Sequence, residues 1–129
     1  MFLTAALAPR MAARGWGRII NVTTMVAHFG MPGAALYGSS KAALHLLTQA
    51  WAAEFGPKGV TVNEVAPGPT RTPGAAVFGD AVEQLAKAAP AGRAAMPVEI
   101  AAAVLYLASP EAGSVNGATL AIDGGRLAA

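Results

Sequence analysis

Apolar positions along this 129-residue chain alternate between two rhythms. Leu3, Leu7 and Met11 stand at four-residue steps, the spacing of one helix face, so residues 1–14 are expected to be helical, with Pro9 as a kink and Gly15 as the stop. The short β-branched run Arg18 to Thr23 is expected as a strand buried on both faces, as a parallel sheet requires. A longer helix is expected from Ala35 to Phe55, where Leu44, Leu47, Trp51 and Phe55 keep the three-to-four spacing of a buried face. Gly56-Pro57-Lys58-Gly59 ends it. Val60 to Val65 makes the next strand, leading into Ala66-Pro67-Gly68-Pro69-Thr70-Arg71-Thr72, a turn where backbone can approach a ligand closely. Residues 73–92 are Ala-rich and weakly helical, with Val77, Phe78, Val82 and Leu85. Pro97 then opens a helix with Glu99 in its first turn. Its Ile100, Val104 and Leu107 are expected to face inward, and Ser109-Pro110 stops it. Thr119 to Ile122 forms a last strand, and Asp123-Gly124-Gly125 turns out of it.

Strand–helix alternation of this kind predicts an open α/β sheet with its ligand at the carboxyl ends of the strands. Three strands and about four helices are visible. A βαβ unit takes about 30 residues, so two βαβαβ halves do not fit, and residues 1–129 are expected to form one partial domain. One side of the strand at Arg18 to Thr23 is then expected to be unpaired, an aggregation hazard.

Composition narrows the partners. Charged residues make up 12% of the chain against about 25% in ordinary domains, so much of the surface is expected to meet protein. Residues 1–53 carry Arg10, Arg14, Arg18 and Lys41 and no acid, but four scattered cations are not a nucleic-acid footprint. With no cysteine there is no disulfide or thiolate site, and no metal is expected. No apolar run approaches the ~20 residues of a membrane span. The opening MFLTAALAPRMAARGWGR is amphipathic, Arg-rich and acid-free, as a transit peptide is, but it has no basic region before Phe2 and is taken as a helix. A cytoplasmic location is expected.

The chemistry is concentrated in NVTTMVAHFGMPGAALYGSSK, residues 21–41. Tyr37 and Lys41, four apart, share one helix face about 5–6 Å apart at Cβ. A cation near a phenol favours the phenolate, and a tyrosine so placed can exchange a proton with an oxygen within hydrogen-bond reach. Thr24, at the end of the strand, can hydrogen-bond the same oxygen. On spacing alone the plainer reading is a half-buried Tyr37 that only packs, with Lys41 solvated. His28, isolated in the loop 25–32, is expected at the loop surface.

GRIINVTT, then YGSSKAAL, then GVTVNEVAPGPTRT resembles, in order and spacing, the short-chain dehydrogenase/reductase family, and the match runs to the C-terminus. The resemblance implies the C-terminal part of a Rossmann-like doubly wound parallel sheet. It also implies an NAD(P)-dependent oxidoreductase interconverting a carbonyl and an alcohol, with NAD or NADP undetermined. Tyr37 and Lys41 fall on the family's catalytic tyrosine and lysine. Thr24 falls on its serine; threonine keeps the hydroxyl while adding a methyl that stiffens χ1. Pro67 and Gly68 match positions bordering the nicotinamide, Thr70 one meeting the carboxamide, and Thr72 one holding the phosphates. Met25, Val26 and Phe29 fall in the loop lining the substrate pocket, and 73–92 matches the substrate lid. Helices 1–14 and 35–55 match the usual dimer surfaces, implying a homo-oligomer. The resemblance covers the C-terminal half of the family's domain, and nothing here resembles G-x-G-x-x-G. A non-catalytic fragment serving in association is therefore the alternative expectation.

Overall fold

Seven regular elements follow one another in the computed structural model, which describes residues 1–129. They are α1 (Phe2–Ala13), β1 (Gly17–Val22), α2 (Ala35–Phe55), β2 (Val60–Pro67), α3 (Ala81–Lys87), α4 (Pro97–Ala108) and β3 (Thr119–Ile122), with short 3-10 turns between them. All strand pairs are parallel, in the order β1-β2-β3. The register sets Gly17 opposite Val60, and aligns Asn21, Glu64 and Thr119 in one row across the sheet.

The middle strand explains the rest. Val60 to Ala66 are buried without interruption, as expected for a strand covered on both faces. Side chains alternate across a sheet, and on one face Val60 and Val62 pack against Ala8 of α1 and Ala52 and Phe55 of α2. On the other, the Asn63 side chain donates to the Val115 carbonyl and accepts from the Ala118 amide, tying the sheet to the segment that follows α4.

Two expectations are corrected. β1 is not buried on both faces: Arg18 to Asn21 are half-buried and Val22 is exposed. As an edge strand it pairs only with β2, so one flank lacks a neighbour. In α1 the buried positions are Thr4 and Ala8, while Leu3 is 72% exposed. Small residues allow the helix to lie close on the sheet, which turns the Leu3–Leu7 side outward.

Two contacts fix the chain's turns. Gly59 ends the segment after α2 at φ +78, and a Cβ there would lie 2.1 Å from the Gly15 carbonyl oxygen. At the start of α4, the Glu99 carboxylate reaches back to the Met96 amide at 2.8 Å, covering one of the helix's free donors. Arg93 grips the same carboxylate through two bonds of 2.7 and 2.8 Å. The guanidinium, with the amide second, holds the Glu99 carboxyl well below its ordinary value of 4.5, at about 2.

Gly59→Ala adds both a left-handed strain and a backbone clash, and is expected to lower stability by more than ~2 kcal/mol in urea denaturation, the left-handed conformation alone contributing ~1–2. Glu99 has a folded value below its unfolded one, so its stabilisation is complete above the unfolded value and is lost as pH falls through about 2. The melting-temperature difference between wild type and Glu99→Gln should hold steady from neutral pH to about 5 and close progressively below that. An unchanged difference at the lowest pH would remove this role from Glu99.

Candidate active site

The carboxyl ends of β1 and β2 open onto an apolar cleft of about 1120 Å³. The two ends are locked together by Thr23, whose amide and hydroxyl both donate to the Val65 carbonyl, at 2.9 and 3.3 Å. That hydroxyl is engaged in the sheet. Thr24 differs: it caps the 3-10 turn Met25–Ala27, and its Oγ1 accepts from the Val26 amide at 3.4 Å. Its own hydroxyl proton has no protein acceptor, and the residue lines the cleft.

Tyr37 stands in the first turn of α2, half exposed and also on the cleft wall. The structure thus brings Thr24 and Tyr37 to one cavity, thirteen residues apart in sequence. Lys41, one turn further along α2, is not on that wall. Its Nζ donates to the Val22 carbonyl at 3.1 Å, anchoring the helix to the end of β1.

The end of β2 and the turn after it contribute Pro67, Gly68, Thr70 and Thr72, all on the cleft wall. A Cβ at Gly68 would lie 2.7 Å from Asp123 Cα, so only glycine lets the end of β2 pass so close to the end of β3. Thr70 Oγ1 donates to the Gly68 carbonyl at 3.0 Å, holding the turn closed. Thr72 Oγ1 accepts from the Ala75 amide and caps the 3-10 turn Pro73–Phe78. Arg71 then clips this turn to α3 through bonds of 2.6 and 3.1 Å to Glu83, whose carboxyl it holds below the ordinary carboxylate range.

Of the three residues expected in the substrate loop, Met25 and Val26 line the cleft. Phe29 does not: the turn at 25–27 carries it away, and its ring lies under the Arg126 guanidinium at 5.0 Å. The expected lid residues Phe78, Val82 and Leu85 form part of the wall, whereas Val77 is 80% exposed and lies off it. Ile100 and Val104 were expected to face inward with Leu107; only Leu107 is fully buried, and the other two line the cleft. Their four-residue step is the sequence signal that α4 has an apolar side to spare. His28 departs most. It was expected at the loop surface, but lies inward, with its Nε2 3.1 Å from the buried Glu64 carboxylate.

No helix is long and apolar enough to cross a membrane. The profile of the family described as enoyl-(acyl carrier protein) reductase matches residues 1–126. Nodulation protein G of Azospirillum brasilense is 43% identical over 124 residues, covering 95% of this chain and 50% of the relative. A solved short-chain dehydrogenase/reductase family protein is 54% identical with a TM-score of 0.93, over 99% of this chain and 53% of its own. The gluconate 5-dehydrogenase of Burkholderia cenocepacia J2315, solved in complex with NADP and tartrate, is 36% identical with a TM-score of 0.90, over 98% and 51%. The chain spans about half the length of the relatives it matches. Its three parallel strands and flanking helices are those of a Rossmann-like fold, and the chain belongs to the short-chain dehydrogenase/reductase family.

Proposed function

We propose that this chain carries the proton-transfer and substrate-contacting portion of an NAD(P)-dependent oxidoreductase that interconverts a carbonyl and an alcohol. The observation behind the proposal is that Thr24, Tyr37 and the Pro67–Gly68 turn meet at one apolar cleft at the carboxyl ends of parallel strands. Tyr37 exchanges a proton with the substrate oxygen, and Thr24 donates a hydrogen bond to it. Lys41 holds a positive charge one turn along the same helix. The cleft also fits the nicotinamide end of a dinucleotide: Pro67 and Gly68 bring backbone to its edge, and Thr70 and Thr72 add hydroxyls. When bound, the nicotinamide supplies or accepts a hydride. Met25, Val26, Phe78 and Val82 suit a substrate with an apolar body.

The same helices support association of copies. Phe2 and Leu3 on α1 and Leu36 and Leu46 on α2 are at least 65% exposed, which leaves apolar side chains on both helices available to a partner surface. An association module without turnover is the reading that remains if the cleft binds no cofactor.

Tyr37→Phe is expected to lower kcat by about 10²–10⁴-fold while leaving NADH or NADPH affinity within about twofold. Cofactor titration calorimetry and turnover on a β-ketoacyl thioester, a cyclic alcohol and a sugar acid would test this, and undiminished turnover would remove Tyr37 from the chemistry. Sedimentation should find the chain dimeric or larger, and Leu46→Glu should shift it toward monomer; a monomeric wild type would end the association reading.

A further inference from the structure

Glu64 lies in the middle of β2 with a fully buried side chain. A carboxylate taken out of water is costly unless it is paired, coordinated or neutralised. One oxygen, Oε1, is crowded: Thr119 Oγ1 donates to it at 2.8 Å, His45 Nδ1 is hydrogen-bonded to it at 3.0 Å, and His28 Nε2 lies 3.1 Å away. The other oxygen, Oε2, is equally buried and has no partner at all. The two imidazole rings meet edge to face, with centroids 4.8 Å apart.

His28 Nε2 is the informative atom. Though 3.1 Å from Oε1, it is buried and forms no hydrogen bond, because the ring nitrogen does not point at the oxygen. Hydrogen-bonded partners aim at each other, whereas two ligands of one ion aim at a third point between them. The three donor atoms lie within 4.8 Å of one another and arrive from three separate elements: the loop after β1, α2 and β2.

We propose that His28, His45 and Glu64 form a site for a divalent first-row transition metal, with zinc as the best fit. Tetrahedral bonds of about 2.0–2.1 Å separate neighbouring donors by about 3.3–3.4 Å, so the oxygen–nitrogen distances here need open by only a few tenths of an ångström. Two imidazoles with one carboxylate match zinc and its neighbours, whereas calcium and magnesium take oxygen donors. A water completes the coordination, while Thr119 hydrogen-bonds the carboxylate ligand. The histidine side chains are 19% and 27% exposed, which leaves an ion a route in. Gln49 lies 3.4 Å from His45 Nε2, where its amide oxygen, once turned to the ring, accepts the N–H that coordination through Nδ1 requires. The ion offsets the buried carboxylate and ties the loop that carries Met25 and Val26 to α2, two turns below Tyr37. The site is independent of the oxidoreductase proposal and takes no part in its chemistry.

Zinc affinity of the purified chain, stripped with a chelator and titrated against a chromophoric competitor, tests the proposal. One tight equivalent is expected. His28→Gln and His45→Gln should each weaken it by more than about 100-fold, beyond the ~10–100-fold typical of residues that only orient a ligand. Zinc should raise the wild-type melting temperature and leave that of His28→Gln unmoved; this comparison keeps the test decisive should Glu64 variants not fold. A folded wild type that binds no zinc, or variants that bind it equally well, would overturn the proposal and leave a buried carboxylate bonded only to His45 and Thr119.

Discussion

Everything in this chain hangs on β2. It is the only strand with a partner on each side, and every residue from Val60 to Ala66 is buried. Its position sets what lies at its ends. At the carboxyl end the chain leaves the sheet through Pro67 and Gly68, directly beside the end of β1 where Thr23 is bonded to Val65. The cleft exists because two parallel strands stop together and their connections diverge, one toward α2 and the other toward α3 and α4. The first turn of the helix that follows β1 then borders this cleft, which is where Tyr37 stands.

A buried strand also limits where polarity can go. Asn21, Glu64 and Thr119 share one row of the register, and all three face α2. Each is answered from that side or from its neighbour: Asn21 donates to Thr48, Thr48 donates to the Leu44 carbonyl, and Thr119 donates to Glu64. Aliphatic packing of Val60 and Val62 gives way to this polar layer one step along the strand. Such a layer fixes the register of helix on sheet more narrowly than aliphatic packing does, since a slip of one residue would strand a buried carboxylate. Two buried polar atoms at this layer are left unanswered, Glu64 Oε2 and the His28 Nε2 beside the same carboxylate.

Most of this architecture was legible in the sequence. Strand and helix periods, the Gly-Pro stops and the Tyr37–Lys41 step are local signals, and the elements they imply fall within a few residues of those observed. What was not legible is non-local. His28, His45 and Glu64 are separated by 17 and 19 positions and carry no recognisable spacing; only the register of β2 and the path of the loop bring them together. The outward turn of Leu3 was hidden for a related reason. Periodicity identifies an apolar stripe but not which side a sheet will accept, and close approach favoured the small residues Thr4 and Ala8. Phe29 illustrates a third failure, since a single 3-10 turn is enough to carry the side chain that follows it off the cleft.

Lys41 joins these levels. Its ammonium has three donors, and one goes to the Val22 carbonyl at the last position of β1. This bond acts across the gap between an edge strand and the helix above it, where β1 has little burial to hold it. Because Tyr37 lies one turn earlier on the same rigid helix, anchoring Lys41 also anchors the phenol relative to Thr24. Two ammonium donors remain. The residue can therefore pin α2 to the sheet and keep donors free, so the pin seen here does not exclude the role proposed for it beside Tyr37. Replacing it by a neutral side chain would remove both at once, whereas arginine, with a planar fork in place of a compact ammonium, would keep the charge and change the geometry of the pin.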